Sequence, residues 1–387
     1  MPSPPRVPCV IVGGGIAGVA AAAHLADLGI RGVVVLEREP RLGEGATGRS
    51  AGGIRQQFTD PQLVRAARVT VRMLETFSAD TGVDPEFRRH GYLLLATDPD
   101  RARRLREEGD LQRGLGLAVE TLGPDAVKER FPCLETGDVI AANFCGTDGY
   151  LSPHALVEGY RSRAQGGGAE FRTSRRVEAV EFRDGRVSGV RTAEGFVAAD
   201  RVLVASGADA GPLLEEAGVP LPLRPTLRRI HATHPLPAVP RDLPLVLDLD
   251  KPFYFRPESG GVLLSLAEVE EGGTPERMGG TEGALTDRLV ERALARCPLL
   301  GEARFLASWS GHRTLTPDDR PILGEAPDRP GLWLAVGFGG HGITHAPSLT
   351  RALAEEMVHG ASTTLPLGPY RPNRPELGGE NRPSSVL

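Results

Sequence analysis

The chain has 387 residues, which is long enough for two domains or for one large fold with an insertion. Apolar residues make up 40% and charged residues 25%, an ordinary composition for a globular protein. The formal net charge of −5 gives no reason to expect a nucleic acid or an anionic membrane as a partner.

The four cysteines, Cys9, Cys133, Cys145 and Cys297, are far apart and form no CxxC pair. Their spacing indicates neither a disulfide framework nor a metal site. The apolar start lacks a basic n-region and is interrupted by three consecutive glycines, so it does not match a signal peptide. No other run is long and apolar enough to span a bilayer. We therefore expect a cytoplasmic protein without a metal or a membrane partner.

Residues 7–37 predict one βαβ unit: strand "VPCVIV", turn "GGGIAG", helix "VAAAAHLADLG" and strand "GVVVLE". Gly13, Gly15 and Gly18 fit G-x-G-x-x-G, and Glu37 ends the second strand, where a ribose hydroxyl needs an acceptor. Gly13 suits a tight turn, Gly15 a close approach to pyrophosphate, and Gly18 close packing of helix on strand. The alternative is a glycine-rich turn without a ligand, and the ordered strand, helix and acid argue against it.

No second G-x-G-x-x-G follows a strand later in the chain. The runs "AQGGGAEF" and "PESGGVLL" have the wrong flanks and are typical of turns. We therefore predict one dinucleotide site, which disfavours a reductase that passes electrons from NAD(P)H to a bound flavin.

The middle of the chain alternates between helical and extended patterns. Helices are predicted at 61–80 and 99–116, with a third that begins at Ser152-Pro153. Strands are predicted at 91–98 and 139–145. Further predictions are a β-meander over 169–205 with turns at Asp184-Gly185 and Glu194-Gly195, a strand, turn and helix from "RVLVASGADAG", a β-rich region over 225–313, and a final strand, glycine-rich turn and helix from "GLWLAVGFGGHGITHAPSLTRALAEEMVHG".

Several ordered motifs together resemble a known family. The chain resembles the FAD-dependent amino-acid and amine oxidases and dehydrogenases, which include D-amino acid oxidase, glycine oxidase, sarcosine oxidase and the β subunits of related dehydrogenases. The resemblance covers nearly the whole chain and is most specific in "GATGRSAGGIRQQF", "YFRPESGGVLLS", "GHRTLTPDDRPILG" and "GFGGHGITHAP". It implies an enzyme with one FAD.

The order of elements and the resemblance together predict an α/β fold. A discontinuous Rossmann-like FAD-binding domain is expected from 1–85, 146–212 and 314–370. A second, substrate-binding domain with a mainly antiparallel β-sheet and flanking helices is expected from 86–145 and 213–313. The Pro-rich tail, 371–387, is expected to be disordered.

The resemblance also implies which residues bind FAD. Small residues in the segment after the second strand let the backbone approach the cofactor, with Arg55 near the flavin ring. The "GFGGHGITHAP" loop brings a helix N-terminus near the flavin's pyrimidine end, where its dipole stabilises developing negative charge. The predicted FAD-binding residues are Gly13, Gly15, Ile16, Ala17, Gly18, Glu37, Arg38, Thr47, Arg49, Ser50, Gly53, Val177, Ser206, Gly207, Gly339, Gly340, Gly342, Ile343 and Thr344.

Two arginines are candidates for binding a substrate carboxylate. In glycine- and D-amino-acid-oxidase relatives, the residue at Arg313 clamps the carboxylate, for which a planar guanidinium offers two parallel donors. Sarcosine oxidases instead use an arginine of the early segment, closer to Arg55, and the sequence leaves both candidates open. A surface ion pair is the alternative for Arg313.

Other catalytic candidates come from the same motifs. Tyr254 and Arg256 are candidate pocket residues, with an exposed hairpin pair as the alternative. His341 is a candidate for facing the active site or for a structural hydrogen bond, and His345 is expected to be structural.

Two departures from the family pattern bear on the chemistry. The cysteine that attaches FAD in monomeric sarcosine oxidases would fall at Gly311, and no histidine stands out for such a linkage, so we predict non-covalent FAD. The lysine that these enzymes use with oxygen would fall at Thr344, which weakens the case for a fast oxidase. Oxygen or another electron acceptor stays open.

The resemblance implies oxidation of a C–N bond in an amino acid or N-substituted amino acid. Hydride transfer to flavin N5 gives an imine that water hydrolyses. One alternative is a 2-hydroxy-acid dehydrogenase with His341 or His312 as the base. Another is the flavin-bearing subunit of a multi-subunit dehydrogenase, which would need partner subunits. The segment "GRSAGGIRQQF" resembles the β subunits of such dehydrogenases most. An NAD-binding protein without flavin would leave the later motifs unexplained.

Overall fold

The computed structural model describes residues 6–267, 270–271 and 282–378. Its helices are α1 (Ile16–Asp27), α2 (Pro61–Thr81), α3 (Pro99–Gly114), α4 (Pro124–Arg130), α5 (Pro153–Gly166), α6 (Ala210–Glu216), α7 (Glu282–Arg296) and α8 (Gly342–His359). Its strands are β1 (Val10–Val12), β2 (Val34–Leu36), β3 (Gly53–Ile54), β4 (Tyr92–Ala96), β5 (Val119–Leu122), β6 (Ala141–Cys145), β7 (Gly149–Tyr150), β8 (Glu170–Arg172), β9 (Val177–Arg183), β10 (Arg186–Thr192), β11 (Gly195–Ala198), β12 (Val202–Val204), β13 (Arg224–Thr233), β14 (Leu245–Asp248), β15 (Phe253–Glu258), β16 (Gly261–Leu266), β17 (Glu270–Glu271), β18 (Phe305–Leu315), β19 (Ile322–Glu325) and β20 (Leu332–Val336).

A six-stranded sheet carries the N-terminal βαβ unit, in the order β19-β20-β12-β1-β2-β8. Its strands are parallel except β19, which pairs antiparallel with β20. Continuous apolar strands such as β1 and β12 suit a parallel sheet that is covered on both faces. One face packs in a core with α1, α5 and α8, and the other packs with α6 and the small sheet of β9, β10 and β11. All six strands lie within the segments predicted for the FAD-binding domain, whose boundaries stay a prediction.

The meander predicted over 169–205 is shorter in the structure. Only β9, β10 and β11 pair antiparallel as a three-stranded sheet. The two ends of the predicted meander instead join the six-stranded sheet, β8 beside β2 and β12 between β1 and β20. The prediction was wrong there because a short apolar run does not reveal its pairing partner, and "VLV" of β12 is fully buried in the parallel sheet.

A second, nine-stranded sheet has the order β17-β13-β16-β15-β14-β4-β6-β5, with β18 paired to the other edge of β13. Only the pair of β14 with β4 is parallel, so the sheet is mainly antiparallel, as predicted. Helix α7 packs in a core on one face of this sheet. Residues of the opposite face contribute to the cavity described below.

Helix termini follow the signals in the sequence. Ser152 caps α5 by accepting a hydrogen bond from the amide of Ala155 at 3.3 Å, and Pro153 takes the first helical position. Helix α3 ends at Gly114, two residues before the predicted end, because Gly116 adopts φ +81°. No helix of the described ranges is both long and apolar enough to cross a membrane.

The tail was predicted to be disordered from residue 371, and this is wrong for residues 371–378. Arg374 is buried and donates to both carboxylate oxygens of Asp318 at 2.8 Å. It also donates to the Pro321 carbonyl at 3.2 Å. Proline content alone missed this anchor because the partner carboxylate lies far away in sequence. Residues 379–387 lie outside the described residues.

Candidate active site

A cavity of about 450 Å³ lies between the six-stranded sheet and one face of the nine-stranded sheet. We call its two walls the dinucleotide side and the substrate side. The dinucleotide side includes the β1–α1 turn, the end of β2 and residues 45–53. The substrate side consists of Arg55, Tyr92, Arg228, Ile230, Leu245, Leu247, Tyr254, His312, Arg313 and His341.

The β1–α1 turn brings bare backbone to the dinucleotide side. Gly13 has φ +110°, and a Cβ there would lie 2.6 Å from the Ala205 carbonyl oxygen. A Cβ on Gly18 would overlap the carbonyl oxygen of Gly13, so α1 packs directly on the turn. The amide of Ile16, at the start of α1, donates to the Thr47 hydroxyl at 3.1 Å. The positive end of the α1 dipole therefore faces the cavity, which suits an anion such as pyrophosphate.

Glu37 places a fixed carboxylate at the end of β2. Its two oxygens accept hydrogen bonds from the amides of Gly14 at 2.6 Å and Glu39 at 2.8 Å. Next to it, Arg38 forms an ion pair of 2.8 Å with Asp209. An anchored acceptor at this position suits a ribose hydroxyl. The turn, the helix N-terminus and this carboxylate together fit the adenosine diphosphate part of a dinucleotide.

The predicted FAD-binding residues lie together along one cavity, with one exception. Gly18 is not part of the cavity wall, and it has the packing role that the sequence predicted for it. The others all line the cavity: Gly13, Gly15, Ile16, Ala17, Glu37, Arg38, Thr47, Arg49, Ser50, Gly53, Val177, Ser206, Gly207, Gly339, Gly340, Gly342, Ile343 and Thr344.

The loop before α8 connects the two sides. Gly339 adopts φ +55°, and α8 then begins at Gly342. The Thr344 hydroxyl donates to the Gly53 carbonyl at 3.3 Å and accepts from the amide of Arg55 at 3.4 Å. The guanidinium of Arg313 occupies the space that a Cβ on Gly340 would need. The first turn of α8 therefore fixes the segment that carries Arg55.

Arg313 is a buried cation on the substrate side. Its side chain belongs to β18, is 7% exposed, and has an Nε and an Nη1 that make no hydrogen bond within the described residues. Burial, followed by the like charge of Arg228, lowers the pKa of Arg313 to about 9. A buried guanidinium with donors that lack a partner favours an anionic ligand.

Arg55 has a different environment. Its Nη2 lies 3.1 Å from His341 Nε2, and its guanidinium stacks over the ring of Phe58 at 4.4 Å. Because arginine has no acceptor, this contact requires an unprotonated Nε2 on His341, whose remaining proton is then on Nδ1. His345 lies farther along α8 and its Nε2 contacts the Leu63 carbonyl at 3.2 Å. Burial lowers the pKa of His345 to about 3, as expected of a structural histidine.

Asp148 binds the two glutamines that follow Arg55 in the chain. Its carboxylate accepts from the Gln56 amide at 2.9 Å, the Gln56 side chain at 3.0 Å and the Gln57 side chain at 3.0 Å. Burial raises the pKa of Asp148 to about 6, and these donors oppose the rise. The carboxylate thus anchors the "RQQF" segment, and nothing in the sequence linked residue 148 to it.

Arg256 does not have the predicted place. The described cavity wall contains Tyr254 but not Arg256. The Arg256 guanidinium donates to the carbonyls of Ala51 at 2.6 Å and Pro257 at 2.7 Å, and it pairs with Glu258. The prediction of Arg256 as a pocket residue was wrong, because its N–H groups hold the segment at Ala51 against β15 by hydrogen bonds.

Comparison with known proteins identifies the family. A family model described as DAO, FAD dependent oxidoreductase, matches residues 9–356. The chain belongs to the DAO family of FAD-dependent oxidoreductases. The match confirms the family and the flavoenzyme class that the motifs predicted, and FAD is the cofactor of this enzyme.

Three relatives of the DAO-family enzyme show how far the similarity extends. L-proline dehydrogenase from P. horikoshii is 28% identical, with a TM-score of 0.90 over 98% of this chain and 100% of that one. Glycine oxidase from Geobacillus kaustophilus is 29% identical, with a TM-score of 0.82 over 95% and 99%. Mitochondrial dimethylglycine dehydrogenase from Rattus norvegicus is 29% identical over 93% of this chain. The chain spans only 44% of that dehydrogenase. The predicted α/β fold is confirmed by the two solved structures.

The substrate side of the DAO-family enzyme contains residues that sequence reasoning missed. Tyr92, Arg228 and Leu245 line the cavity from β4, β13 and β14. Alternation along each strand indicates two faces but does not indicate which face meets the cofactor domain. Only the pairing of distant strands shows that these side chains share one wall. No group of three or more metal-binding side chains occurs within the described ranges.

Proposed function

We propose that the enzyme oxidises a C–N bond of an amino acid or N-substituted amino acid of the sarcosine, glycine or proline type. The observation that carries the proposal is Arg313, a buried guanidinium in the cavity wall whose Nε and Nη1 have no hydrogen-bond partner within the described residues. A substrate carboxylate would accept charge-assisted hydrogen bonds from this guanidinium and would offset its buried positive charge. The names of the similar proteins support the substrate class, since they include an L-proline dehydrogenase, a glycine oxidase and a dimethylglycine dehydrogenase.

The geometry favours Arg313 over Arg55 as the carboxylate clamp. Arg55 already contacts His341 and the Phe58 ring, so its guanidinium is engaged within the protein. Arg313 extends from the strand pair β13–β18, opposite the loop that precedes α8. Arg55 then contributes positive charge near the cofactor, and Arg313 fixes one end of the substrate.

The chain supplies positioning more than acid–base chemistry. FAD, when bound, supplies the two-electron oxidant that takes a hydride from the substrate's α-carbon. Arg313 holds the carboxylate and so sets the direction of the adjacent C–H bond. Leu245, Leu247 and Ile230 exclude water from that part of the cavity. The cofactor-binding residues that line the dinucleotide side would hold FAD, and we propose that they do so without a covalent bond. Gly311 offers no nucleophile, and no cysteine lines the cavity within the described chain.

The hydroxy-acid alternative is less well supported. Removal of a hydroxyl proton needs a base within reach. The Nε2 lone pair of His341 accepts from Arg55, so this nitrogen is not available as a base in the arrangement seen here. An amine that binds in its neutral form needs no such group. His312, the other candidate base, also lines the cavity, so our preference for C–N oxidation rests on the similar proteins and not on the lack of a base.

Anaerobic bleaching of the flavin tests the proposed function. The purified holoenzyme is mixed without oxygen with D-, L- and N-methyl amino acids and, separately, with 2-hydroxy acids. We expect bleaching by at least one amino acid and none by hydroxy acids. Bleaching by hydroxy acids alone would overturn C–N oxidation. A flavin that stays oxidised with every compound would contradict C–N oxidation by this chain alone and would favour a subunit that requires partners.

A further inference from the structure

Two tyrosines share one face of the nine-stranded sheet. Tyr92 of β4 pairs with Leu245 of β14, and Tyr254 of β15 pairs with Leu247 of β14. Directly paired residues, and residues two apart on one strand, point to the same side of a sheet. Standard sheet spacings place the Cα atoms of the two tyrosines about 12 Å apart, with the leucines between them. All four side chains line the cavity.

Both tyrosine hydroxyls are available to a ligand. Each side chain is only 8% exposed. Neither hydroxyl makes a hydrogen bond within the part of the chain that the structure describes. Buried tyrosine hydroxyls normally find a partner, so two open ones in one cavity point to polar atoms of a bound molecule.

The two hydroxyls have different neighbours. Tyr254 is near enough to Arg313, the proposed carboxylate clamp, to act on the pKa of Arg313. Tyr92 instead neighbours Arg55, and its hydroxyl lies against Gly53 at the place where a Cβ would otherwise be. Burial raises the pKa of the Tyr92 phenol, so the phenol is neutral at ordinary pH. A neutral phenol is too weak a base to take a proton from an amine, but its oxygen can accept a hydrogen bond while its O–H donates one.

We propose that Tyr92 contacts the substrate amine, with its phenol oxygen accepting a hydrogen bond from the substrate N–H. The assignment rests on the proposed function, in which Arg313 holds the carboxylate of the same substrate. Oxidation of a neutral amine needs the nitrogen lone pair free, because that pair becomes the π bond of the imine. The N–H must therefore point to an acceptor, and Tyr92 supplies one beside Arg55. Substrates that retain an N–H on the neutral nitrogen are favoured over tertiary amines.

The test compares amines with and without an N–H. Sarcosine is paired with N,N-dimethylglycine, and L-proline with N-methyl-L-proline. Rate constants for anaerobic flavin bleaching are measured as a function of substrate concentration for the wild-type holoenzyme and Tyr92→Phe. The change removes one oxygen and keeps the ring. Tyr160→Phe is the matched control, because Tyr160 packs against His24 and Phe77 in the core and is not part of the described cavity wall.

We expect the wild type to prefer the N–H compound, and Tyr92→Phe to lose about 3- to 10-fold of that preference, the usual contribution of one neutral hydrogen bond. Acetate, a carboxylate without an amine, should perturb the flavin spectrum of both proteins at equal concentrations. An unchanged preference in Tyr92→Phe, or a wild type that prefers the tertiary amine, overturns the Tyr92 contact while C–N oxidation stands. If no amine bleaches the wild type, the proposed function fails, and the Tyr92 contact fails with it.

Discussion

The two sides of the cavity recognise their ligands in different ways. On the dinucleotide side, backbone amides, a helix N-terminus and Cβ-free glycines form the surface, as at Gly13 and Ile16. On the substrate side, side chains from separate strands form it, as with Arg313 and Tyr254. Backbone recognition tolerates little change because an added Cβ meets fixed atoms. Side-chain recognition can be altered one residue at a time while the fold is kept.

The largest effect is expected on the dinucleotide side. In Gly18→Ala, the new Cβ would overlap the Gly13 carbonyl oxygen, a backbone atom that cannot rotate away. We expect a cost of about 3 kcal/mol or more and a protein purified largely without FAD. Flavin content per chain is the measurement. Gly114→Ala, on α3 with open space around it, is the control and should retain full flavin.

Arg313→Met tests the other side and should leave FAD binding intact. Loss of the guanidinium removes the charge-assisted hydrogen bonds to the substrate carboxylate, which costs about 3 kcal/mol, or roughly a hundredfold in affinity. Titration with acetate, followed by the flavin spectrum, measures this affinity directly. A variant that binds acetate like the wild type would assign the clamp to another residue, with Arg55 the next to test.

A contact between the two sides of the cavity should make the effects of two substitutions on substrate binding non-additive. A Cβ on Gly53 would overlap the Tyr92 hydroxyl but would lie 3.0 Å from the ring carbon that carries it. Gly53→Ala should therefore weaken substrate binding less in a Tyr92→Phe background than in the wild type. We expect a coupling energy of about 1 kcal/mol from a double-mutant cycle. Additive effects would show that the two residues do not meet in the working enzyme.

The smallest effect on the cavity is expected at the far end of α8. Burial favours the neutral acid of Glu355, but the Thr364 hydroxyl, the Thr363 and Thr364 amides and Arg351 all donate to it. The net effect lowers the pKa of Glu355 to about 2. The stabilisation is thus present above the ordinary pKa of 4.5 and is lost as the pH falls from there towards 2.

Thermal unfolding of Glu355→Gln as a function of pH measures this contribution. The variant should melt below the wild type at pH 7, and the gap should narrow as the pH falls below 4.5. Flavin bleaching should be unaffected. Glu129→Gln, an exposed glutamate of α4, is the control. A gap that stays constant with pH would mean that the carboxylate charge is not what anchors the end of α8.

The same contrast between the two sides explains what the sequence could predict. The turn with Gly13, the capped start of α1 and the carboxylate of Glu37 occur within one short stretch, so spacing and residue type were sufficient. Arg313 and Tyr254 were found because they stand in motifs that resemble a family. Tyr92 and Asp148 carry no local signal, since their roles depend on strand pairing and on partners far away in sequence.

Two errors have the same origin. Arg256 was predicted to line the pocket, but its donors meet the carbonyls of Ala51 and Pro257, and only the folded chain brings Ala51 to β15. Arg374 lies in a tail that was predicted to be disordered, and Asp318 orders it. In both cases a polar side chain found a partner that composition cannot reveal.

The most direct test of the central claim compares each amino acid with its decarboxylated analogue. Sarcosine with dimethylamine, and L-proline with pyrrolidine, are given anaerobically to the wild type and to Arg313→Met. The wild type should be bleached at least about a hundredfold more efficiently by the amino acid, and Arg313→Met should lose most of that preference. An unchanged preference in the variant, or no bleaching of the wild type by any amine, would contradict the account.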